Sequence, residues 1–309
     1  MSLELRCSRV AKAAGYLPGG TAAGAEAFVL VEAPLPWPNK VETHFLLAPL
    51  ARILKDHGAR LQAVVPQGDT PGLTRIVVYR RDPDALSFGR DEATVPTGEL
   101  EERLTALLAH DDLGEPPKSG SGVTDVLICT HGSRDRCCGA DGMRLYVELL
   151  AMALPGVRLW RTSHTGGHRF APTGLTFPDG RAWAWLDAEL VRRIVEQDLT
   201  PDEIAAHDRG SVGLLDPYAQ AAEGAVFARV GWPWLDAART AVVQAPANGG
   251  PAQVLVTGAG RHYEVEVAID RMVPVPECGL PLTEARKDSP EMVVRSLGEV
   301  AEVRGGRRD

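Results

Sequence analysis

The side chains best suited to metal or redox chemistry lie in two short stretches, CTHGSRDRCCG from Cys129 to Gly139 and HTGGH from His164 to His168. Cys129 and Cys138 are separated by eight residues, Cys138 and His164 by twenty-five, and His164 and His168 by three. Two thiolates and two neutral imidazoles form a donor set that tetrahedral iron or zinc accepts. Histidines at i and i+4 would share a helix face, but Gly166 and Gly167 lie between them. Each glycine costs about 1 kcal/mol in a helix, so the spacing predicts a loop. In a loop, paired glycines let the backbone approach a bulky ligand and offer N–H groups to acceptors such as sulfide, which favours a cluster over a bare ion. The residues leave four readings open: an iron-sulfur cluster, a zinc-stabilised Cys2His2 binding module, a thiol-dependent redox enzyme using Cys137 or Cys138, and an inert buried set. No C-x-x-C occurs, so a thioredoxin-type redox motif is not supported.

These residues need elements that bring them together. VTDVLICT reads as a buried strand ending at Cys129, and VRLWRTS as a second strand just before His164. Loops after strand carboxyl ends share one edge of an α/β sheet, so the four side chains could converge there. Between the strands, DGMRLYVELLA reads as a helix starting at Asp141, with Met143, Val147 and Leu150 on its apolar face. GLTF and RAWAWLD form a hairpin around Pro178–Gly180, and residues 188–197 a helix. Upstream, Phe28–Glu32, a helix over Thr43–Leu54, strands at Leu61–Pro66 and Thr74–Arg80 and the helix GELEERLTALLAH give a similar order, which suggests two copies of one layout. GEPPKSGSG at Gly114–Gly122 reads as a linker. The expected domains are an N-terminal α/β unit over 1–115, the site-bearing α/β unit over 122–200, and an extension over 201–309. The extension comprises a helix near Tyr218–Val230, a WPW turn, a hairpin of QVLVTG and HYEVEVAIDRMVPV, and a frayed basic tail, VRGGRRD.

A chain of 309 residues suits two or three compact units. Its net charge of -8 disfavours nucleic acid and anionic lipid as partners. MSLELRCSRV lacks a signal-peptide layout, and LLAMALPGV is far too short to span a bilayer. Five cysteines are too few and too odd in number for a disulfide framework. A soluble cytoplasmic protein is expected.

The C-x8-C spacing, the CTHGSRDRCC wording and above all WRTSHTGGHRFAPTGLTFPDG resemble the sucrase/ferredoxin-like family, over about Val123–Asp187. Weaker matches include Cys7-Ser8, Gly20–Ala22, LVEAPLPW and AQAAEG near Ala219. The resemblance implies a thioredoxin-like ferredoxin domain and a 2Fe-2S cluster, with Cys129 and Cys138 on one iron and His164 and His168 on the other. It implies an electron carrier rather than an enzyme, working with a redox donor or acceptor protein. Such a site is neutral when oxidised, so its potential should exceed the roughly -400 mV of plant-type ferredoxins, and should fall with rising pH if an imidazole takes a proton. Cys137 is assigned no ligand role, and Cys7 and Cys278 read as packed thiols. His131 reads as a hydrogen-bonded loop histidine; Trp160, Trp183 and Trp185 read as packing. Arg134, Arg136, Arg161 and Arg169 are weighed as a basic collar against an ordinary solvated loop. Nothing supports a sugar-cleaving carboxylate pair at Asp187 and Glu189.

Overall fold

The computed structural model describes residues 6–68, 70–82, 85–109, 122–244 and 250–301. A short helix, α1 (Cys7–Ala13), precedes a unit running β1 (Ala27–Glu32), α2 (Ala51–Asp56), β2 (Ala59–Val64), β3 (Leu73–Arg81), β4 (Phe88–Pro96) and α3 (Leu100–Ala109). The next unit repeats that order as β5 (Thr124–Cys129), α4 (Arg136–Met152), β6 (Val157–Thr162), β7 (Gly174–Phe177), β8 (Arg181–Trp183) and α5 (Ala188–Val195). The pairings repeat too. In each unit the first strand is parallel to the second and antiparallel to the third, and the third pairs antiparallel with the fourth. The α/β class expected from the sequence is present as two units of one layout.

The units meet through β2 and β6, which pair antiparallel at Val64 and Thr162. One sheet therefore runs β4-β3-β1-β2-β6-β5-β7-β8-β9, ending in β9 (Asp208–Ser211). Hydrogen bonds close the seam: Ser163 N–H donates to the Ala63 carbonyl at 2.8 Å, Val65 N–H to Arg161 at 3.1 Å, and Thr162 Oγ1 to buried Gln62 at 3.0 Å. A second tie runs through Asp125, which is wholly buried and accepts from the Tyr79 hydroxyl of β3 and from Arg158. β1 is buried along its whole length and β5 from Asp125 onward, which is why AFVLV and VLIC read as continuous apolar runs.

The expected helix over Thr43–Leu54 is interrupted. Single 3-10 turns occupy Val41–Thr43 and Ala48–Leu50 before α2 begins. Pro49 lacks the N–H that a continuous helix needs, and its ring would clash with the preceding turn. The helix expected from Asp141 instead begins at Arg136, capped by Asp135. Its apolar face also differs from the reading: Val147 and Leu150 are each 53% exposed, while Cys138, Gly142, Leu145 and Leu149 are buried.

Beyond residue 200 the chain is more than a helix and a hairpin. α6 (Pro201–His207) leads into β9, the last strand of the main sheet, and then α7 (Pro217–Val230). Strands β10 (Arg239–Gln244), β11 (Ala252–Gly258), β12 (Arg261–Pro274) and β13 (Asp288–Val300) form an antiparallel sheet whose middle pair is the expected hairpin. Val226 and Phe227 of α7 share one apolar core with Val254, Val256 and Val265 of this sheet and with Val126 and Ile128 of β5. The linker read at Gly114–Gly122 falls almost wholly on residues 110–121, and the tail on 302–309, outside the described residues.

Candidate metal centre

Parallel β5 and β6 end on the same edge of the sheet. Cys129 is the last residue of β5, Cys138 lies in the first turn of α4, and His164 follows β6 by two residues. The Sγ atoms of Cys129 and Cys138 and a ring nitrogen of His164 all lie within 4.8 Å of one another. Nδ1 of His164 is buried without a hydrogen-bond partner among the described residues, so it is available to a ligand. His168 stands further off, its ring centroid 6.4 Å from that of His164. Its Nδ1 lies 3.2 Å from Asp135 Oδ2 and 3.4 Å from Cys7 Sγ, which leaves Nε2 as the nitrogen able to hold a metal. A carboxylate on the other ring nitrogen is the usual way such a ligand is oriented. Cys129, Cys138 and His164 thus form a group that could hold a metal ion, and His168 lies outside it.

α4 can reach the end of β5 because two of its residues lack side chains. A Cβ on Gly142 would stand 2.0 Å from the Cys129 carbonyl oxygen, and one on Gly139 2.5 Å from Gly132 Cα. Asp135 Oδ1 caps the helix by accepting from Cys137 N–H at 2.8 Å and Cys138 N–H at 3.2 Å. The positive end of the helix thus faces the thiols and favours their ionised form. Hydrogen bonding from Cys138, then from His164, holds the Cys129 thiol well below its ordinary range, while that bond and burial push Cys138 up. Burial alone would raise the Asp135 carboxyl, but His168 carries it below its usual range.

Two buried arginines, Arg169 and Arg209, and the half-buried Arg60 surround the H-x-G-G-H loop, and their hydrogen bonds go to neutral oxygens. Arg60 donates to the His164 carbonyl at 3.2 Å, Arg169 to Ser289 Oγ at 3.1 Å, and Arg209 to the Gly166 carbonyl at 3.1 Å. Burial, then Arg169 and Arg60, push the Arg209 guanidinium down to about 9, still charged at neutral pH. Gly167 has φ +65° and a Cβ there would lie 2.4 Å from the Arg209 guanidinium. The glycine pair therefore admits an arginine as well as any cluster. Arg169, weighed as part of an exposed collar, is only 8% exposed. Arg134 is held by Asn39 Oδ1 at 2.9 Å, and Arg161 lies over the Tyr146 ring.

The N-terminal unit closes over the cysteine loop. Ser133 Oγ donates to the Trp37 carbonyl at 2.8 Å, and Asn39 Nδ2 to the Ser133 carbonyl at 2.9 Å. His131 has both ring nitrogens engaged: Nε2 is 2.9 Å from the Pro38 carbonyl oxygen, and Nδ1 accepts the His164 N–H at 3.2 Å. That pattern fixes a neutral ring, and burial lowers the His131 pKa accordingly. A cleft of about 450 Å³ lined by Lys40, Arg60, His131, Arg134 and His164 opens onto the site.

Cys7, Cys137 and Cys278, read from sequence as packed or uninvolved thiols, are instead gathered with Asp135 in a second group within 4.8 Å. Their sulfurs stand 3.5 Å (Cys7 to Cys137), 3.5 Å (Cys7 to Cys278) and 3.0 Å (Cys137 to Cys278) apart. Hydrogen bonds from Cys278, then Cys7, hold the Cys137 thiol far below its ordinary range. The Cys137-Cys138 doublet was the available signal. Neighbours in a helical turn point about 100° apart, so adjacent cysteines can serve two different groups.

Among the described residues, no helix is long and apolar enough to cross a membrane. No curated protein and no solved structure gives a significant match to the chain. A family described as sucrase/ferredoxin-like matches residues 18–210, more than half of the sequence, and this span holds Cys129, Cys138, His164 and His168 but neither Cys7 nor Cys278. The chain belongs to the sucrase/ferredoxin-like family.

Proposed function

We propose that this protein is a one-electron carrier holding a 2Fe-2S cluster on Cys129, Cys138, His164 and His168. The observation that carries the reading is the convergence of Cys129, Cys138 and His164 within 4.8 Å, with the buried Nδ1 of His164 lacking a partner. When bound, such a group supplies a centre that takes up and gives back a single electron. Arg60, Arg169 and Arg209 place fixed positive charge beside two thiolates and so favour added negative charge. Asp135 orients His168 through Nδ1, and the neutral His131 orients the His164 backbone. The cleft beside His164, with Lys40, Arg60 and Arg134 in its walls, suits an acidic face on a redox donor or acceptor protein. Five cysteines without a disulfide among them suit a reducing compartment, which supports a cytoplasmic location.

The test is anaerobic purification of the whole chain followed by visible absorption and electron spin resonance. Bands between roughly 400 and 600 nm and a reduced-state signal altered by both His164→Ala and His168→Ala are expected. A histidine variant with an unaltered signal removes that residue from the ligand set. A colourless protein that binds zinc through Cys129 and Cys138 overturns the reading in favour of a zinc-stabilised module.

A further inference from the structure

We propose that Cys7, Cys137, Cys278 and Asp135 form a second, structural metal site for a single zinc-like divalent cation. The four residues come from three remote places: α1, the first turn of α4 with its cap, and the segment between β12 and β13. In tetrahedral zinc coordination, bonds of about 2.3 Å set the sulfurs about 3.8 Å apart. The three thiols stand 3.0–3.5 Å apart, so each edge of the triangle opens by less than about 1 Å to admit the ion. Asp135 completes the set, with Oδ2 3.7 Å from Cys7 Sγ. Its Oδ1 is occupied in capping α4, so ligation through Oδ2 leaves the helix start intact, and the second lone pair of Oδ2 keeps its contact with His168 Nδ1 at 3.2 Å.

Three sulfurs and a carboxylate at such separations repel one another once the thiols ionise, unless a cation lies among them. A disulfide between Cys137 and Cys278 would use two of the four donors and leave Cys7 and Asp135 packed against it. A divalent ion uses all four, and the remaining thiol protons pass to solvent on binding. With four protein ligands the site is closed to substrate, which marks a structural role. It would fasten α1 and the β12–β13 segment to the helix start that also presents Cys138. The two groups remain separate because Cys137 faces one and Cys138 the other.

The experiment measures zinc and iron per full-length chain in the wild type, Cys278→Ser, Cys7→Ser and Cys129→Ser, all purified anaerobically. One zinc per chain is expected in the wild type and in Cys129→Ser, falling at least tenfold in Cys278→Ser and Cys7→Ser while iron is retained. Should zinc occupy the other group as well, the wild type carries two, and Cys129→Ser and Cys278→Ser each lose one, which supports this site and overturns the cluster. Cys278 is only half-buried, so its variant leaves the apolar cores untouched. Cobalt added to the Cys129→Ser chain gives a second readout that needs no ligand variant at the new site: intense tetrahedral bands with charge transfer from three thiolates. The proposal is overturned by a Cys278→Ser chain of unchanged zinc content, by a Cys129→Ser chain that takes up neither zinc nor cobalt, or by a Cys137–Cys278 disulfide in protein alkylated anaerobically.

Discussion

Replacing Gly142 with alanine sets two effects of opposite sign against each other. In an ordinary helix interior the change is stabilising by about 1 kcal/mol, because alanine loses less backbone entropy. Here the new Cβ would lie 2.0 Å from the Cys129 carbonyl oxygen and 3.2 Å from its carbon. That oxygen belongs to the end of a buried central strand, so α4 rather than β5 has to yield, by about 1 Å. Overpacking of this kind costs roughly 1–3 kcal/mol, and a contact with backbone belongs at the upper end. The net expectation is a loss of about 2 kcal/mol. The same shift carries Cys138 away from Cys129, so visible absorption per chain falls as well. Urea midpoints of the wild type, Gly142→Ala and Ala140→Gly measure this directly. Ala140 is exposed on the same helix and reports the propensity term alone, a loss of about 1 kcal/mol. A Gly142→Ala chain more stable than wild type, with unchanged absorption, would refute the close approach of α4 to Cys129.

Glu223 is fully buried, pairs with Arg181 and Arg239, and accepts from Trp234 Nε1 at 3.0 Å. Glu223→Gln removes the carboxylate paired with Arg239 and leaves Arg181 with Asp208 alone, and should cost about 3–5 kcal/mol in urea unfolding. Burial alone would raise the Glu223 carboxyl, but Arg181, then Arg239, carry it below its ordinary value of 4.5. The unfolded chain therefore takes up this proton first, and the stability the carboxylate contributes is present above about pH 4.5 and lost as pH falls towards the lower folded value. The Gln variant should show a shallower acid limb in that range, and an identical limb would contradict the assignment. Arg209→Met removes a buried cation beside Gly166 and Gly167 and should lower the midpoint potential by on the order of 60 mV, a tenfold loss in electron affinity. An unchanged potential in a correctly folded variant would show that the buried arginines do not tune the centre.

Features that depend on neighbours in the chain were legible, and features that depend on packing were not. Cys129 ends the apolar run VLIC and His164 follows VRLWRTS, both of which read as strands, so their shared edge of the sheet followed from the order of elements. The start of α4 was obscured because Gly139 and Gly142 weaken a helix in isolation. Their reason for being there is the contact with Gly132 and Cys129, which no local pattern reveals. The wrong apolar face has a similar cause. Met143, Val147 and Leu150 satisfy helical spacing as well as Cys138, Gly142, Leu145 and Leu149 do, and only the second set contains residues too small or too polar to count as apolar. Cys7 and Cys278 are 271 positions apart, and their meeting is a product of the C-terminal sheet folding back towards α1. Arg169 reads as surface charge for the same reason: burial of a guanidinium is decided by what covers it.

In the repeated layout the N-terminal unit shows no metal-competent group of its own among the described residues. In the shared order of elements, Glu32 ends β1 as Cys129 ends β5, and Pro66 follows β2 by two residues as His164 follows β6. Neither is a thiol or an imidazole. Glu32 is spent internally, accepting the Gln67 N–H at 2.9 Å, and the long connection from β1 to α2 has become a cover whose Trp37, Pro38 and Asn39 bind the Cys129–Cys138 loop of the other unit. Because β2 and β6 pair antiparallel, Arg60 of the N-terminal unit lands against the His164 carbonyl. One copy thus supplies the donors, and the other supplies a cover and a half-buried cation. Under the proposed function, the cleft at His164 would be the face through which an electron is exchanged.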